Sequence, residues 1–468
     1  MEDASLQSCR LRSTGRRSTP YVPQKKTLLN LQLLYLTTLL VLHLSIASHS
    51  AYASYNTPQV PIISPDLASR AIIDHPLYPP RVNYEILEPN DEESDPFELP
   101  EGAIFYPVHV TGNEQEKFNL MFFADEYTLN EYDKFEEDVE RLKNDIISTN
   151  GSMSHVSDLL NIWATFVPSQ QSGIGTHDRP LQGAALGLYR PGSELRAVYV
   201  KYPKRARRAC KWFREGGAGK GGCDQAILLG NDPLYGGLGG EFTIITASQV
   251  NGPQVLRHEL GHSLISVGEE YDGVYSGVNS DKVKNLDKLK WKDLLSTPER
   301  ARVEDAKMAV QAYPWWDLDS GLFNVTFNSA IIPENDNVSY PTALLRTSLS
   351  SISHPSHIHF TLNDESINLM PYFTKDLDGS LDRRWLDVQI PGLKAGENTI
   401  KVELTDEGKQ AEAGQGGKML TRLEVIEYGE EGRFNHTIGH IGAYPTFDIK
   451  GHVTLRPTND EIGHMPDQ

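Results

Sequence analysis

His258-Glu259-Leu260-Gly261-His262 constrains this chain more than any other stretch. The residues before it, Gln254-Val255-Leu256-Arg257, are good helix material, and Pro253 sits where a first helical turn tolerates proline. On a helix, positions four apart lie ~40° apart on one face, so His258 and His262 project together and can grip one metal ion. Glu259 lies ~100° round, too far to join them as a ligand but close enough to reach a water beside the metal. Metal-assisted hydrolysis needs that arrangement. Zinc brings the pKa of a bound water near ~7, and a carboxylate takes its proton as the water attacks a carbonyl carbon. A chance HExxH on an ordinary amphipathic helix is the competing reading. The helix start, the glycine stop and the carboxylates that follow argue against it.

Two imidazoles leave a catalytic zinc one protein ligand short. Glu269, Glu270 and Asp272 are the next candidates. Counted round a continuous helix, Glu269 returns to within ~20° of the histidines, while Glu270 sits ~120° away. Glu269 would also lie ~10 Å along the axis from His262, so the chain must turn back, and Gly268 is placed to stop the helix. Glu269 is the favoured third ligand and Glu270 the alternative.

The run His258-Glu-Leu-Gly-His262-Ser-Leu-Ile-Ser-Val-Gly268-Glu-Glu-Tyr271 resembles the signature of the IgA-peptidase family of zinc metallopeptidases. The resemblance continues in Ala124-Asp-Glu-Tyr-Thr128, Gly187-Leu-Tyr-Arg190 and Tyr235-Gly-Gly237. It implies a metzincin-like α/β (α+β) catalytic domain holding Zn²⁺ and acting on a protein or peptide substrate. It also implies His258, His262 and Glu269 as ligands and Glu259 as the catalytic acid/base. The metzincin spacing itself differs by one residue: its glycine and third histidine would fall on Ile265 and Gly268.

Residues 1–53 lie apart from the fold. Basic residues from Arg10 to Lys26 precede an apolar run, Leu28 to Ile46, and Ala51-Tyr52-Ala53 offers a cleavage site before Ser54. A cleaved signal peptide is favoured. An uncleaved membrane anchor through residues 28–46 is the alternative, and the basic flank stays cytosolic in both cases. Either route makes the protein secreted or type II signal-anchored with its body outside the cytosol. Sequons at Asn150, Asn324, Asn337 and Asn435 agree with a glycoprotein. So do Cys210 and Cys223, an even pair in an oxidising compartment and hence an expected disulfide. The formal net charge of −19 argues against nucleic-acid binding.

Residues 54–107 are rich in proline and acids and read as a disordered linker. The catalytic unit spans 108–320. Its strands are Phe118–Phe123, Asn161–Val167, Ala226–Leu229 and Phe242–Thr246, and Thr128-x-x-Glu131 caps a helix striped by Phe135, Val139, Leu142 and Ile146. A mixed sheet flanked by helices, with the metal helix packed beneath it, is expected.

Gly216–Gly222 reads as a flexible loop inside the disulfide. Gly236–Gly240 is either a tight turn or a means of bringing substrate backbone to the edge of strand Phe242–Thr246. The basic run Lys201–Lys211 reads as a solvated loop rather than a processing site. Residues 321–430 alternate in short strands, giving an inserted β-sandwich in which His354, His357 and His359 form a solvated face rather than a metal cluster. Residues 431–468 read as an incomplete return to the catalytic domain. Family members finish with a Met-turn, and Met465 in Gly-His-Met-Pro does not match it. A non-catalytic secreted glycoprotein, its sandwich binding a glycan or protein, is the alternative function.

Overall fold

The computed structural model describes residues 71–72, 102–149, 151–216, 221–265, 286–329, 340–374, 379–429, 434–435, 437, 439–447 and 453–458. Glu269, Glu270, Asp272, Gly268, Asn150, Asn337, Met465 and residues 1–53 lie outside them. Among the described residues no helix is long and apolar enough to cross a membrane.

A six-stranded mixed sheet forms the first unit. Its strands are β1 (Ile104–His109), β2 (Phe118–Asp125), β3 (Leu160–Phe166), β4 (Gln225–Gly230), β5 (Gly237–Leu238) and β6 (Thr243–Thr246), in the order β1-β3-β2-β4-β6-β5. The inner four run parallel, and β1 and β5 close the two edges antiparallel. The apolar run of β2 serves two cores. Leu120, Phe122 and Ala124 face helices α1 (Tyr132–Ile147) and α3 (Gly252–Leu264), while Met121 and Phe123 face α2 (Pro203–Glu215). A sheet covered on both faces needs such continuous hydrophobic strands. Thr128 begins the turn into α1, its backbone N–H donating to Glu131 Oε2 at 2.8 Å. The stripe Phe135, Val139, Leu142 and Ile146 is fully buried, as expected.

Four local expectations differ. The first strand of the sheet starts at Ile104, inside the stretch read as linker. The basic run forms helix α2, with proline in its first turn. Ala206, Ala209, Cys210 and Phe213 recur at helical spacing and bury one face, which the interleaved arginines concealed. Gly221 and Gly222 are packed rather than loose. A Cβ on Gly221 would sit 2.6 Å from the Phe105 ring, and one on Gly222 would sit 2.4 Å from the Asn119 amide. Finally, α3 stops at Leu264, with Ile265 already extended, so Gly268 is not its stop.

The second unit is two antiparallel sheets around one core. One sheet orders β7 (Ala306–Ala312), β13 (Met419–Tyr428), β9 (Thr342–Ser350) and β11 (Arg384–Pro391); the other centres on β8 (Phe323–Asn328), β12 (Glu397–Leu404) and β10 (Ile358–Leu362). Phe323, Val325, Phe327, Phe360, Ile400 and Val402 fill the space between them. Ala306–Ala312 belongs here by its ladder with β13, although the sequence reading gave it to the catalytic unit. Ala71–Ile72 also pairs with β8. The hairpin of β14 (Tyr444–Phe447) and β15 (Val453–Arg456) packs on this unit and on residues 286–304. Tyr444 joins Ala306, Ile426 and Tyr428, while Ala443 and Leu455 meet Leu289 and Trp291. The polypeptide between residues 286 and 304 has already crossed to the sandwich side, which draws the hairpin there.

Candidate active site

Helix α3 carries the candidate site along the border of its packed face. Val255, Leu256 and Leu260 are buried against the sheet and α1. Arg257 donates to Asp145 of α1 at 2.6 Å, locking the two helices in rotation. Beside Val255 stand His258, Glu259 and His262, whose ligand-type atoms lie within 4.8 Å of one another. The two Nε2 atoms approach to 2.9 Å, with the ring planes 84° apart. A tetrahedral zinc spaces two nitrogen ligands by roughly 3.3 Å, so the pair needs to open only a few tenths of an ångström to receive one. Convergent imidazoles with a carboxylate beside them fit a zinc ion.

The glycine run lies directly over this helix. β5 pairs with β6 through Leu238↔Ile244 and Gly237↔Ile245, so β6 is covered and the edge of the sheet is β5. A Cβ on Gly237 would come within 2.3 Å of Val255 Cγ1 and 3.1 Å of Glu259 Oε1. A Cβ on Gly239 would come within 2.6 Å of His262 Cβ and 2.9 Å of the Glu259 carbonyl and Oε2. Only glycine lets this strand rest on Glu259. Ser263 ties the end of the helix to the same strands. Its hydroxyl donates to the Glu259 carbonyl at 2.9 Å and accepts from Thr243 Oγ1 at 2.9 Å and the Gly240 N–H at 3.3 Å. A serine hydroxyl on the carbonyl four residues back loosens a helix there, and the helix ends at the next residue.

The loop into β5 is fixed from below. Arg190 is fully buried and pairs with Asp232 at 3.0 Å. It also donates to the carbonyls of Tyr235 and Leu234. At the C-terminal end of β2, Asp125 is fully buried and accepts from the Leu186 and Leu188 amides at 2.7 and 2.6 Å. Burial outweighs those bonds and pushes its pKa up to about 6. Glu126 beside it holds a left-handed backbone (φ 64°) and is 1% exposed. Burial, then the charges of Asp125 and Asp232, pushes its pKa up to about 11, so its carboxyl is protonated at neutral pH.

A third support comes from the sandwich. Asp382, 3% exposed, accepts from the Tyr235 N–H at 2.5 Å, the Ser248 hydroxyl at 2.5 Å and the Asn251 side-chain amide at 2.7 Å. Nothing in the sequence pointed to it, because its partners lie more than a hundred positions upstream.

Cys210 and Cys223 form a disulfide joining α2 to the segment that enters β4. Asn324 stands on β8 with its side-chain carbonyl meeting no donor among the described residues. Asn435 Oδ1 accepts from the Thr437 N–H at 2.8 Å. His354, His357 and His359 each bond a serine.

Residues 107–309 match the family model described as IgA Peptidase M64. No curated protein matches the chain. Among solved structures, it is similar to an exo-β-1,3-galactanase from Phanerochaete chrysosporium at 15% identity, covering 22% of this chain and 20% of that one, with a TM-score of 0.14. It is also similar to CBM35 from Paenibacillus barcinonensis at 15% identity, covering 26% of this chain and 91% of that one, TM-score 0.15. A family 35 carbohydrate binding module from Clostridium thermocellum matches at 14% identity, covering 27% and 92%, TM-score 0.15. The chain thus spans a minor part of the galactanase.

Proposed function

Residues 107–309 match the IgA Peptidase M64 family model, and on that premise we propose that the chain is a zinc-dependent endopeptidase acting on extracellular proteins or peptides. The observation that carries the reading is the convergence of the His258 and His262 Nε2 atoms at 2.9 Å with Glu259 beside them. His258 and His262 would hold the ion, with Glu269 as third ligand and Glu270 as its alternative. A zinc ion there acidifies water and polarises a carbonyl oxygen. Glu259 takes a proton from the attacking water and returns it to the leaving amine. The Gly237–Leu238 edge offers main-chain groups to an extended peptide, and among the described residues it has a strand partner on one side only. A mixed sheet ending in an antiparallel edge strand above the metal helix supports a metzincin-like fold. The Cys210–Cys223 disulfide and the sequons at Asn150, Asn324, Asn337 and Asn435 support export through the segment ending at Ala53, cleaved or retained as an anchor over 28–46.

The test is hydrolysis of casein or gelatin by the purified chain, with and without a chelator, alongside measured zinc content. Glu259→Gln should keep about one zinc per chain and lose hydrolysis, since only the proton acceptor goes. His262→Ala should lose the zinc. Undiminished hydrolysis by Glu259→Gln would overturn the assigned role.

A further inference from the structure

We propose that Asp382, delivered by the sandwich, is a positioning residue for the metal-binding helix. Its two carboxylate oxygens serve the two elements that define the site. One accepts from the Tyr235 N–H at 2.5 Å, immediately before the glycine run that lies on Glu259. The other accepts from the Ser248 hydroxyl at 2.5 Å and the Asn251 amide at 2.7 Å. Asn251 is the residue from which α3 springs, and Ser248 Oγ in turn accepts the Asn251 N–H at 2.8 Å. The Asn251 side chain makes no cap bond to its own helix. It spends its amide on Asp382 and on the Arg383 carbonyl, the latter at 2.7 Å. The helix start is therefore held by the sandwich rather than by its own cap.

Geometry turns this contact into control of the site. A helix advances ~1.5 Å per residue, so His258 stands roughly 10 Å from Asn251 along one stiff rod. Movement of the rod's start moves His258, Glu259 and His262 as a unit beneath Gly237 and Gly239, where the clearances to Glu259 already leave no slack. A carboxylate at a helix N-terminus also complements the helix dipole. Arg383 next door supplies adhesion of a different kind. Its guanidinium stacks 4.5 Å from the Trp385 ring, 5.0 Å from Trp315 and 5.1 Å from Tyr235. Its side chain bonds the Ser348 hydroxyl and the Leu195 carbonyl.

The consequence for metal binding rests on the metallopeptidase reading; the tether itself does not. The experiment compares Asp382→Ala, Asp382→Asn and Arg383→Ala in the full chain. Zinc affinity is read by competition with a chromogenic chelator, and hydrogen exchange over residues 235–264 is read on metal-free protein. Asp382→Ala should weaken zinc binding at least tenfold and raise exchange in α3 and β5 while α1 stays protected. Asp382→Asn, which keeps one acceptor oxygen, should fall between Ala and the parent. Should Asp382→Ala fail to fold, Asp382→Asn carries the test with a threefold or greater loss. Arg383→Ala should lower the melting temperature and leave zinc affinity within twofold. Zinc affinity within twofold of the parent in the folded Asp382 variants, or exchange in α3 unchanged from the parent, would overturn the proposal. A parent that binds no zinc would instead sink the metallopeptidase reading, and the exchange data would then decide the tether alone.

Discussion

Gly239→Ala isolates the close approach on which the site depends. The added methyl carbon would stand 2.6 Å from His262 Cβ and 2.9 Å from the Glu259 carbonyl oxygen. Non-bonded carbons rest at about 3.5–4.0 Å, so roughly 1 Å of room is missing. Neither neighbour can swing away, since one is the root of a side chain and the other is helix backbone. The strand has to lift from α3, or α3 has to drop. Overpacking of this kind costs about 1–3 kcal/mol. For a unit of this size that is a fall in melting temperature of roughly 2–12 °C. The same carbon would lie 2.9 Å from Glu259 Oε2, so the carboxylate is displaced along with the strand. Zinc affinity should fall by about 10–100-fold, as when a group supporting a ligand is removed. Gly237→Ala meets a Val255 methyl first, at 2.3 Å, and a side chain can give by rotating at a cost of about 0.5–1.5 kcal/mol. It should disturb the metal less than Gly239→Ala does. Calorimetry and chelator competition on both variants are the assay. A Gly239→Ala protein with the parent's melting temperature and zinc affinity would refute the reasoning.

Two further outcomes follow from buried chemistry. Glu126 binds its proton more tightly folded, with a pKa of about 11, than unfolded, near 4.5. Its contribution is therefore fully present below the unfolded value and drains away as pH rises toward the folded one, by at most about 1.4 kcal/mol per pH unit. Glu126→Gln should gain on the parent in melting temperature between pH 5 and pH 8, and a constant difference across that range would show the carboxyl ionised in the folded protein. The Cys210–Cys223 bond closes a loop across 13 positions, which contributes about 3 kcal/mol in the chain-entropy model. Reductant should lower the melting temperature accordingly, and alkylation of both cysteines without reduction would contradict the bond.

Legibility in the sequence followed the range of the interactions. Leu120 through Ala124 is legible as an unbroken apolar run, and the stripe from Phe135 to Ile146 as a helical period. The converging histidines were readable for the same reason: four residues apart on a helix is a local fact. Helix α2 is hidden in the sequence because its basic residues outnumber the five that bury, although Ala206, Ala209, Cys210 and Phe213 keep the spacing. The stop of α3 was placed at Gly268 by glycine chemistry, whereas Ser263 ends the helix through contacts with Thr243 and Gly240 that only the folded sheet supplies. The angular argument for Glu269 assumed a continuous helix, and α3 does not continue to it. Strand β5 is too short to leave a pattern, so β6 was taken for the edge. Asp382 left no local signal at all, because a single aspartate in a turn looks the same whether it meets solvent or a helix start.

That last feature has a meaning for synthesis. The bond from Asn251 to Asp382 spans 131 positions. At about 5–20 residues per second, the ribosome needs roughly 7–26 seconds to make the intervening chain. During that time the histidines already exist, but the acceptor that anchors their helix does not. The protein's own order of residues therefore delays the moment at which the helix of the candidate site becomes rigid. A nascent chain carries that helix slack, and tightens it only as the sandwich completes.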